Sequence, residues 1–442
     1  MTIRMDEGAA ELLDTLHRAG YAAYVVGGCV RDSLLGLTPH DWDLCTSALP
    51  QQGMELFGAE KCIPTGLQHG TVTVKQGGGL YEITTFRTEG AYTDGRHPDE
   101  VHFVPDVRED LARRDFTINA MAYNAKEGLI DPFGGQADLQ SGILRAVGVP
   151  HQRFTEDALR ILRLYRFAAR FGFAIDPPTA QAAQELCAHL DCVSVERIEE
   201  ELAKLLSAPA PAAYLGEKIL GVVLPELSPE VLAAAKPVVD ACPAGERALP
   251  VRLAALLLSL GEDGTRRTLR RLRCSNACIE ETAVLVREVV SGVPGAFSSD
   301  TNRAIPSPAL LPAATGSHPS GRSSEKLPAR PPVSLNIYTR KLLGQYGLKT
   351  VQRLAALGTA LQPEHAADFA ALSELAEQLD ADGVCCRVSQ LAVNGRDLMA
   401  AGVPAGPGIR KVLEALLDGV IREEYPNERQ ALLAAVQQLA AS

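Results

Sequence analysis

The chain has 442 residues, of which 46% are hydrophobic and 22% are charged, and its formal net charge is −11. A chain of this length exceeds what one hydrophobic core usually serves and predicts two to four domains. No uninterrupted apolar run approaches the roughly 18 residues that span a membrane. The negative net charge argues against a nucleic-acid partner, because phosphate binding depends on Lys and Arg, unless basic residues cluster locally.

The N-terminal segment, "MTIRMDEGAAELLDTLHRAG", has apolar residues at helical spacing with acidic residues between them. It lacks the apolar core of a secretory signal peptide. The ten cysteines are scattered, and their close pairs lack His or Cys partners at zinc spacing. We therefore expect a cytoplasmic protein with no membrane partner, whose cysteines are free thiols in the core.

Residues 21 to about 146 show the alternation of strands and helices typical of an α+β domain. "YAAYVVGG" (21–28) and "HDWDLCT" (40–46) predict strands, and "SLLGL" (33–37) predicts the start of a helical segment between them. "GTVTVKQGGGLYEITTFR" (70–87) predicts a β-hairpin. These elements predict a mixed N-terminal domain.

From Phe154 onward the pattern becomes helical. Residues 156–173, 177–190 and 194–206 have apolar residues at helical spacing, and Pro177-Pro178 separates the first two segments. These segments predict three successive helices.

A Pro-, Ser-, Gly- and Ala-rich segment interrupts the helical region at residues 294–334. Such a composition buries too little apolar surface to order itself, so we expect a disordered insertion. The helical pattern resumes at 335–347, and a loop at 403–409 precedes a predicted helix at 410–421.

Asp41 and Asp43 are candidates for a metal site. In an extended strand, residues two apart share a face, so the two carboxylates would project side by side. Adjacent carboxylates repel each other unless a cation lies between them. Mg²⁺ binds carboxylate oxygens and keeps other positions for water and substrate phosphates. Solvated turn aspartates are the alternative.

Two further residues lie near this pair in the sequence pattern. Glu82 could supply a third carboxylate or be an exposed strand residue. His40 is expected beside the site and not as a ligand, since Mg²⁺ prefers oxygen.

The residues before these aspartates are typical of a phosphate site. Gly27 and Gly28 end an apolar strand, where backbone N–H groups can approach an anion at the start of the next helix. Arg31 can hold a phosphate through bidentate hydrogen bonds. Together, the glycines, the arginine and the aspartates predict a site for a magnesium-bound nucleoside triphosphate.

Five motifs follow one another between Tyr21 and Leu206: "GGCVRDSLLG", "DWDL", "RRDFTINAMAYN", "DPFGGQADL" and "FTEDALRILRLYRFAARFGF". In this order they resemble the tRNA nucleotidyltransferase and bacterial poly(A) polymerase family, within the polymerase-β-like nucleotidyltransferases. "ERIEEELAKLL" is similar to the family's fifth helical motif, and residues 391–433 resemble its tail. The chain shows no His-Asp phosphohydrolase signature, so its layout is most similar to that of the class II CCA-adding enzymes.

The resemblance implies a fold and a domain order. The fold would be α+β, with a polymerase-β-like nucleotidyltransferase head followed by an all-α neck, body and tail. The implied parts are the catalytic head at 1–146, the nucleotide-selecting neck at 147–215, the body at 216–293, the insertion at 294–334 and the tRNA-binding tail at 335–442.

The resemblance also implies roles for individual residues. Gly28 and Arg31 would meet the triphosphate, Asp41 and Asp43 would hold the metals, and Glu82 would be the third carboxylate. The implied nucleotide contacts in the later motifs are Arg114 for the nucleotide, Asp115 and Asn119 for the ribose 2′-OH, Asp157 and Arg160 for the base edge, and Arg163 and Arg166 for the phosphates or support of the site.

Helix geometry independently predicts a polar face on the "EDALRILRLYR" segment. Asp157 and Arg160, three residues apart, share one helix face, and Arg163, Arg166 and Arg170 lie within about 60° of one another. A carboxylate can accept from the amino group of cytosine or adenine, and a guanidinium can donate to a ring nitrogen or carbonyl. Guanine and uracil present the opposite pattern, so these side chains could select C and A without a template. A solvated basic stripe is the alternative.

Two further segments point to tRNA. Residues "RRTLRRLRCSN" place Arg266, Arg270 and Arg273 on one predicted helical face with Arg267 and Arg271 beside it, so an acidic protein could still present a basic track to an RNA backbone. An ordinary solvated helix face is the alternative. The polar stretch from Tyr92 to Phe103 predicts a loop, and the resemblance implies that it is the family's flexible loop, which assists the switch from C to A.

The sequence therefore predicts a Mg²⁺-dependent enzyme that adds C, C and A to tRNA 3′ ends from CTP and ATP and releases pyrophosphate. A CC-adding enzyme, an A-adding enzyme or a poly(A) polymerase of the same family would share this chemistry. A non-catalytic RNA-binding scaffold is the alternative of a different class, and the presence of Asp41, Asp43 and Glu82 counts against it.

Overall fold

The computed structural model describes residues 2–90, 101–290 and 334–441. Two compact units divide the chain, Met1–Pro225 and Glu226–Ser442. The finer division into head, neck, body and tail stays a prediction. Residues 294–333 of the predicted insertion and 92–100 of the predicted flexible loop lie outside the described residues.

The first unit contains all the described strands. They are β1 (Ala23–Val26), β2 (Leu44–Thr46), β3 (Cys62–Gly66), β4 (Thr71–Gln76), β5 (Gly79–Thr85), β6 (Arg87–Glu89), β7 (Val101–Phe103), β8 (Ala122–Asn124), β9 (Gly128–Ile130), β10 (Ile143–Leu144) and β11 (Ala174–Ile175). Seven of them form one mixed sheet in the order β3-β4-β5-β2-β1-β8-β9, in which β2 and β5 are parallel and the other neighbours antiparallel. The remaining strands pair as β6-β7 and β10-β11.

Strand β1 lies near the middle of this sheet, between β2 and β8. All four of its residues are buried, as expected for a continuous apolar run in the interior of a sheet. The predicted hairpin is confirmed as β4 and β5, joined by Gly77 and Gly78. Both glycines have positive φ, of 58° and 86°, which is the backbone of a two-residue hairpin turn that matches the twist of the strands.

Helices of the first unit surround the sheet and continue after it. They are α1 (Glu7–Arg18), α2 (Gly28–Leu34), α3 (Pro50–Phe57), α4 (Val107–Ala112), α5 (Gly135–Ser141), α6 (Pro150–Glu156), α7 (Leu159–Phe171), α8 (Pro177–Glu185), α9 (Val195–Leu206) and α10 (Glu217–Val223). The alternation predicted for residues 21–146 and the helical region after it are both confirmed, and the fold is α+β.

Three predicted boundaries are wrong. The helix expected to begin at 33–37 starts at Gly28, because the chain enters it directly from the Gly27 turn. The strand expected at 40–46 begins only at Leu44, so Asp41 and Asp43 precede it. The helix expected at 156–173 is interrupted at Asp157, whose φ of −146° and ψ of 103° are extended.

Helices make up the described secondary structure of the second unit. They are α11 (Pro229–Ala241), α12 (Leu249–Leu257), α13 (Gly261–Arg271), α14 (Asn276–Val290), α15 (Leu335–Tyr346), α16 (Leu348–Leu361), α17 (Ala366–Ala381), α18 (Gly395–Ala400), α19 (Gly408–Ile421) and α20 (Arg429–Ala441). Leu398, Leu416 and Leu432 from the last three helices pack in one buried cluster. None of the described helices has the length and apolarity needed to cross a membrane.

The ten cysteines are all free, and eight of them are buried. Burial raises the pKa of the Cys29 thiol to about 11 and that of Cys242 to about 12. Thiols with such pKa values carry little thiolate at neutral pH and are poor nucleophiles. The prediction of core thiols is confirmed for these eight cysteines, whereas Cys192 is exposed and Cys278 is partly buried.

Candidate active site

The two predicted metal-binding aspartates lie directly before β2. The carbonyl of Asp43 accepts a hydrogen bond from the Val26 amide at 3.0 Å, so the end of β1 fixes its backbone. Strand β5, which runs parallel to β2, carries Glu82 next to Asp43. The side chains of Asp41, Asp43 and Glu82 are all exposed to solvent. The sheet thus brings the three predicted carboxylates together at the end of β1.

The Asp43 carboxyl shows the electrostatic cost of this arrangement. Desolvation by the surrounding protein raises its pKa, and the charges of Glu82 and Asp41 raise it further, whereas Arg114 lowers it. The Asp43 side chain is nevertheless exposed to solvent, so it does not lie in the core. A bound cation would relieve the repulsion among these carboxylates.

The donor set fits Mg²⁺ as a partner of a bound nucleotide. Among the described residues, His, Cys, Asp and Glu side chains form no group of three or more that is arranged to hold a metal ion by itself. Mg²⁺ is commonly bound by one or two carboxylates, with water and substrate phosphates completing its oxygen ligands. Asp41 and Asp43 supply hard oxygen ligands of the right kind for such a site.

Gly27 forms the turn between β1 and α2. Its φ of 76° and ψ of −122° suit glycine, and its amide donates to the Met121 carbonyl at 3.0 Å. A Cβ at this position would lie 2.7 Å from Nη1 of Arg114. The glycine therefore allows the Arg114 guanidinium to approach the turn, in the same region as Asp43. Gly28 begins α2 at the same place.

Arg31 is buried within the first unit, where its side chain is already engaged. Its Nε donates to Asp32 at 2.7 Å and its Nη1 donates to the Asn119 side-chain oxygen at 2.6 Å. The guanidinium also lies over the rings of Phe167 and Phe171, 5.2 and 4.9 Å from their centroids. Arg31 thus ties the glycine turn to the "RRDFTINA" segment and to α7, while its contact with a triphosphate stays a prediction.

Asp115 lies at the centre of a buried polar network. Its Oδ1 accepts from the Phe116 amide at 2.8 Å and from the Asn119 side chain at 3.1 Å. Nε and Nη2 of Arg163 both donate to its Oδ2, at 2.9 and 2.7 Å. Desolvation raises the pKa of Asp115, but the Arg163 charge and these hydrogen bonds outweigh it and hold the pKa well below its usual value. Asp115 and Asn119, predicted to read the ribose, are therefore held together.

The predicted base-reading pair is joined through the backbone, where the Arg160 amide donates to the Asp157 carbonyl at 3.0 Å, while each side chain bonds to other partners. Asp157 forms an ion pair with Arg197 at 2.8 Å, and its Oδ1 accepts from the Leu159 amide at 3.1 Å at the start of α7. Arg160 is buried, and its Nη1 donates to Glu156 at 2.7 Å and its Nη2 to the Arg113 carbonyl at 3.1 Å. Both side chains are held in place, and their contacts with a base stay predictions.

Arg163 and Arg166 project toward α9. Arg166 donates to Glu201, and Arg163 lies 3.7 Å from the same carboxylate. The Arg166 guanidinium also lies over the Phe167 ring at 3.9 Å. These contacts favour support of the site over direct phosphate binding for Arg166, which is largely buried.

Several acidic and basic partners in this network are not among the residues predicted from the sequence. They are Asp32, Asp110, Glu156, Arg197 and Glu201. Arg197 and Glu201 are four apart and therefore share a face of α9, a signal that was available within "ERIEEELAKLL". The partner of Asp32 in α7, Arg170, lies far along the chain, so no local pattern could have identified this pair.

The predicted basic track is only partly formed. Helix α13 ends at Arg271, and Arg273 lies beyond it with a positive φ of 58°, so Arg273 is not on the helical face. Arg266 is paired with Glu262 and Glu280. Arg267 and Arg270 are exposed, and neither forms an ion pair among the described residues.

Comparison with known proteins identifies the family. Residues 23–145 match the Poly A polymerase head domain, residues 172–230 match an RNA and SrmB- binding site of polymerase A, and residues 336–436 match a tRNA nucleotidyltransferase domain 2. The CCA-adding enzyme of Lactiplantibacillus plantarum is 36% identical over 97% of this chain and 95% of its own length. That of Geobacillus kaustophilus is 34% identical over 97% and 96%. The chain belongs to the CCA-adding enzyme family.

Solved structures agree with this assignment to the CCA-adding enzymes. The Bacillus stearothermophilus CCA-adding enzyme in complex with CTP is 30% identical, with a TM-score of 0.77, over 99% of this chain and 98% of that one. The Thermotoga maritima enzyme complexed with tRNA_CCA, at 21% identity and a TM-score of 0.64 over 98% and 94%, supports the fold alone. CCA-adding enzymes are nucleotidyltransferases, generally metal-dependent, so the predicted family, fold class and enzyme class are confirmed.

Proposed function

We propose that this chain adds C, C and A to the 3′ ends of tRNA from CTP and ATP, without a nucleic-acid template and with Mg²⁺ as cofactor. The observation that carries the proposal is the convergence of the Gly27 turn, the Asp41-Asp43 pair, Glu82 and the "RRDFTINA" segment at the end of β1. Similarity to CCA-adding enzymes over nearly the whole chain supports it. A solved relative at 30% identity contains CTP.

The chemistry requires charge neutralisation at the transferred phosphate. Mg²⁺, when held by Asp41 and Asp43, would make the tRNA 3′-OH a better nucleophile and neutralise charge on the pyrophosphate leaving group. Glu82 adds negative charge beside Asp43 and strengthens the preference of the site for a cation. Arg114, whose guanidinium reaches the Gly27 turn, is placed to bind an anionic group of the nucleotide beside these carboxylates.

The polar network behind the site would orient the nucleotide. Asp115 and Asn119 would contact the ribose 2′-OH, and Arg163 fixes the Asp115 carboxylate through two hydrogen bonds. Asp157 and Arg160 would select C and A through hydrogen bonds to the base edge. Before a base binds, Arg197 holds Asp157 and Glu156 holds Arg160. The base would then replace these partners or bind beside them. Arg31 of α2 packs on Phe167 and Phe171 of α7, and Arg166 joins α7 to Glu201 of α9.

We also propose the four-part organisation of head (1–146), neck (147–215), body (216–293) and tail (335–442), with tRNA binding in the helical parts. The family matches at 23–145, 172–230 and 336–436 support this order. A cytoplasmic location is proposed from the ten free cysteines, which suit a reducing compartment.

A transfer assay tests the proposal. The protein is incubated with labelled CTP or ATP and tRNAs that lack the last one, two or three nucleotides of the CCA end, and the products are resolved by length. We expect addition of the missing nucleotides and then termination. Addition of C alone would indicate a CC-adding enzyme, addition of A alone an A-adding enzyme, and long A tails a poly(A) polymerase.

Substitution of Asp43 tests the catalytic assignment. We expect Asp43→Asn to reduce transfer to less than a few per cent of the parent rate while tRNA binding is retained, because the carboxylate holds the metal and tRNA affinity comes from basic residues elsewhere. Asp14→Asn, which changes the same charge on the exposed surface of α1, is the matched control. Transfer by Asp43→Asn at the control rate would show that Asp43 does not hold the catalytic metal.

A further inference from the structure

Asp110 is a completely buried carboxylate in α4 that has no place in the reaction described above. Two apolar neighbours on the same helix, Val107 and Leu111, pack in a core cluster that includes Val26 of β1. This packing holds α4 beneath the strand that ends at the Gly27 turn. An unpaired charge at such a position would be costly, so the partners of Asp110 are informative.

The two oxygens of Asp110 have different partners. Oδ1 accepts from Nε and Nη2 of Arg113 at 3.0 and 2.8 Å, and from the backbone amide of Arg87 at 3.3 Å. Oδ2 lies 3.5 Å from Nη2 of Arg114 and has no hydrogen-bond partner of its own. Desolvation raises the pKa of Asp110, but the charges of Arg113 and Arg114 outweigh it and hold the pKa below its usual value. The carboxylate is therefore ionised at neutral pH.

Arg114 joins this buried carboxylate to the candidate active site. A Cβ at Gly27 would lie 2.7 Å from Nη1 of Arg114. The positive charge of Arg114 also lowers the pKa of Asp43. Its Nε is buried and has no hydrogen-bond partner, and within the described residues its one ion pair is with Asp110. The Arg114 guanidinium therefore has N–H donors available where a nucleotide would lie beside Asp41 and Asp43.

Asp110 also contacts the base of the β6-β7 ribbon. Arg87, whose amide donates to Oδ1, is the first residue of β6 and pairs with Phe103 of β7. One carboxylate thus holds the start of this ribbon and the arginine beside the Gly27 turn.

We infer that Asp110 is a positioning residue, which holds the Arg114 guanidinium against the Gly27 turn and thereby sets the affinity of the site for nucleoside triphosphates. The inference rests on the proposed function. A nucleoside triphosphate that approaches Asp41, Asp43 and Glu82 meets net negative charge, so a cationic side chain must be held in place there. Without Asp110, the Arg114 side chain would lose its anchor and adopt other rotamers.

Steady-state kinetics of Asp110→Asn, Arg114→Ala and the double variant test the inference. We expect Asp110→Asn to raise KM for CTP and ATP about tenfold, the effect typical of removing one charge-assisted interaction. The kcat should change by less than about twofold, because the interaction that is removed contributes to ground-state binding as well as to the transition state. If Asp110 acts through Arg114, the double variant should have the KM of Arg114→Ala alone.

Asp176→Asn is the matched control for a purely structural effect. Asp176 is also buried, accepts from Arg145 at 2.6 Å and caps α8 through the Thr179 amide at 3.2 Å. We expect it to lower the melting temperature without raising KM. An equal rise in KM for Asp176→Asn, or an unchanged KM for a folded Asp110→Asn, would overturn the inference.

The outcome for Arg114→Ala separates the inference from the proposed function. If Arg114→Ala leaves KM unchanged while transfer persists, the nucleotide site is wrongly placed and the inference fails with it. If Arg114→Ala raises KM but Asp110→Asn does not, the site stands and the inference alone fails. Should Asp110→Asn be insoluble, Asp110→Glu keeps the charge but shifts it by one methylene, and an unchanged KM in that variant would count against the inference.

Discussion

At the scale of single residues, the site depends on backbone conformation as much as on charge. Gly27 combines a φ of 76° with a ψ of −122°, and it accommodates Arg114 where a side chain would otherwise lie. The two glycines could be predicted as a turn from the end of an apolar run. The sequence could not show that an arginine 87 positions away fills the space beside it.

Gly27→Ala should therefore affect both stability and nucleotide binding. We expect a loss of about 1–3 kcal/mol from backbone strain, together with a raised KM for CTP because the Arg114 guanidinium must move. Thermal unfolding and initial-rate kinetics measure the two effects. Gly53→Ala is a suitable control, since Gly53 lies inside α3 with no atom within 4 Å of its Cβ position. A Gly27→Ala enzyme with normal stability and KM would contradict the strain argument.

The lowered pKa of Asp115 predicts how stability depends on pH. A carboxyl with a folded-state pKa below its unfolded value of about 3.9 stabilises the protein fully above that value. This contribution is lost as the pH falls through the folded-state pKa. We expect the melting temperature of Asp115→Asn to be lower than that of the parent near pH 7, and the difference to shrink in acid below about pH 4. A difference that is constant between pH 7 and pH 3 would show that the charge of Asp115 does not stabilise the fold.

At the scale of elements, the periodicity of the sequence was a good guide to which segments form helices and a poor guide to where they end. The hairpin β4-β5 and helix α9 lie where they were expected, because turn glycines and an amphipathic pattern are local signals. The break between α6 and α7 was missed, since Asp157 fits the helical pattern on both sides. Its side chain begins α7 by accepting from the Leu159 amide, and Arg197 of α9 pairs with it.

The predicted base-reading residues are Asp157, which lies just before α7, and Arg160 within it. If Asp157 and Arg160 read the base, Asp157→Ala with Arg160→Ala should relax discrimination, so that UTP and GTP are incorporated with CTP and ATP. Each hydrogen bond to a charged group contributes roughly 1.5–3 kcal/mol, or about a tenfold to hundredfold change in selectivity when it is removed. Single-nucleotide incorporation with each triphosphate, on a tRNA lacking the whole CCA end, measures this ratio.

The control for this variant is Glu200→Ala with Lys204→Ala, which removes an exposed ion pair from α9. We expect the control to keep the preference for C and A. A folded, active Asp157→Ala, Arg160→Ala enzyme with unchanged preference for CTP over UTP would place base reading elsewhere. A parallel loss of all four activities would instead assign both residues to the fold, in line with their contacts to Arg197 and Glu156.

At the scale of the whole molecule, charge distribution matters more than net charge. The net charge of −11 argues against RNA binding unless basic side chains cluster at the surface. Many of the arginines, however, are paired inside the protein. Arg31, Arg160 and Arg166 are buried and paired with Asn119, Glu156 and Glu201. Composition cannot separate these structural arginines from free ones, because pairing depends on residues brought together only by folding. The exposed arginines without carboxylate partners are therefore the better candidates for tRNA contacts.

Arg267 and Arg270 of α13 are two such residues, exposed and without an ion pair among the described residues. If they contact the tRNA backbone, replacing both with Ala should weaken tRNA binding and make its salt dependence less steep. Removing one arginine–phosphate interaction reduces the slope of log K against log salt concentration by about one, so the expected change is up to about two. Nucleotide selectivity and the KM for CTP should not change, since these arginines lie outside the nucleotide site.

The matched control is Arg18→Ala with Arg108→Ala, which removes the same two charges from exposed arginines of the first unit already paired with Asp14 and Asp106. tRNA binding is measured for the parent and both double variants at several salt concentrations. We expect the control slope to equal that of the parent, because charges already neutralised by a carboxylate release few counterions when RNA binds. If both double variants flatten the slope equally, net charge alone governs binding. If neither does, α13 does not contact the RNA, and its exposed arginines form an ordinary solvated helix face.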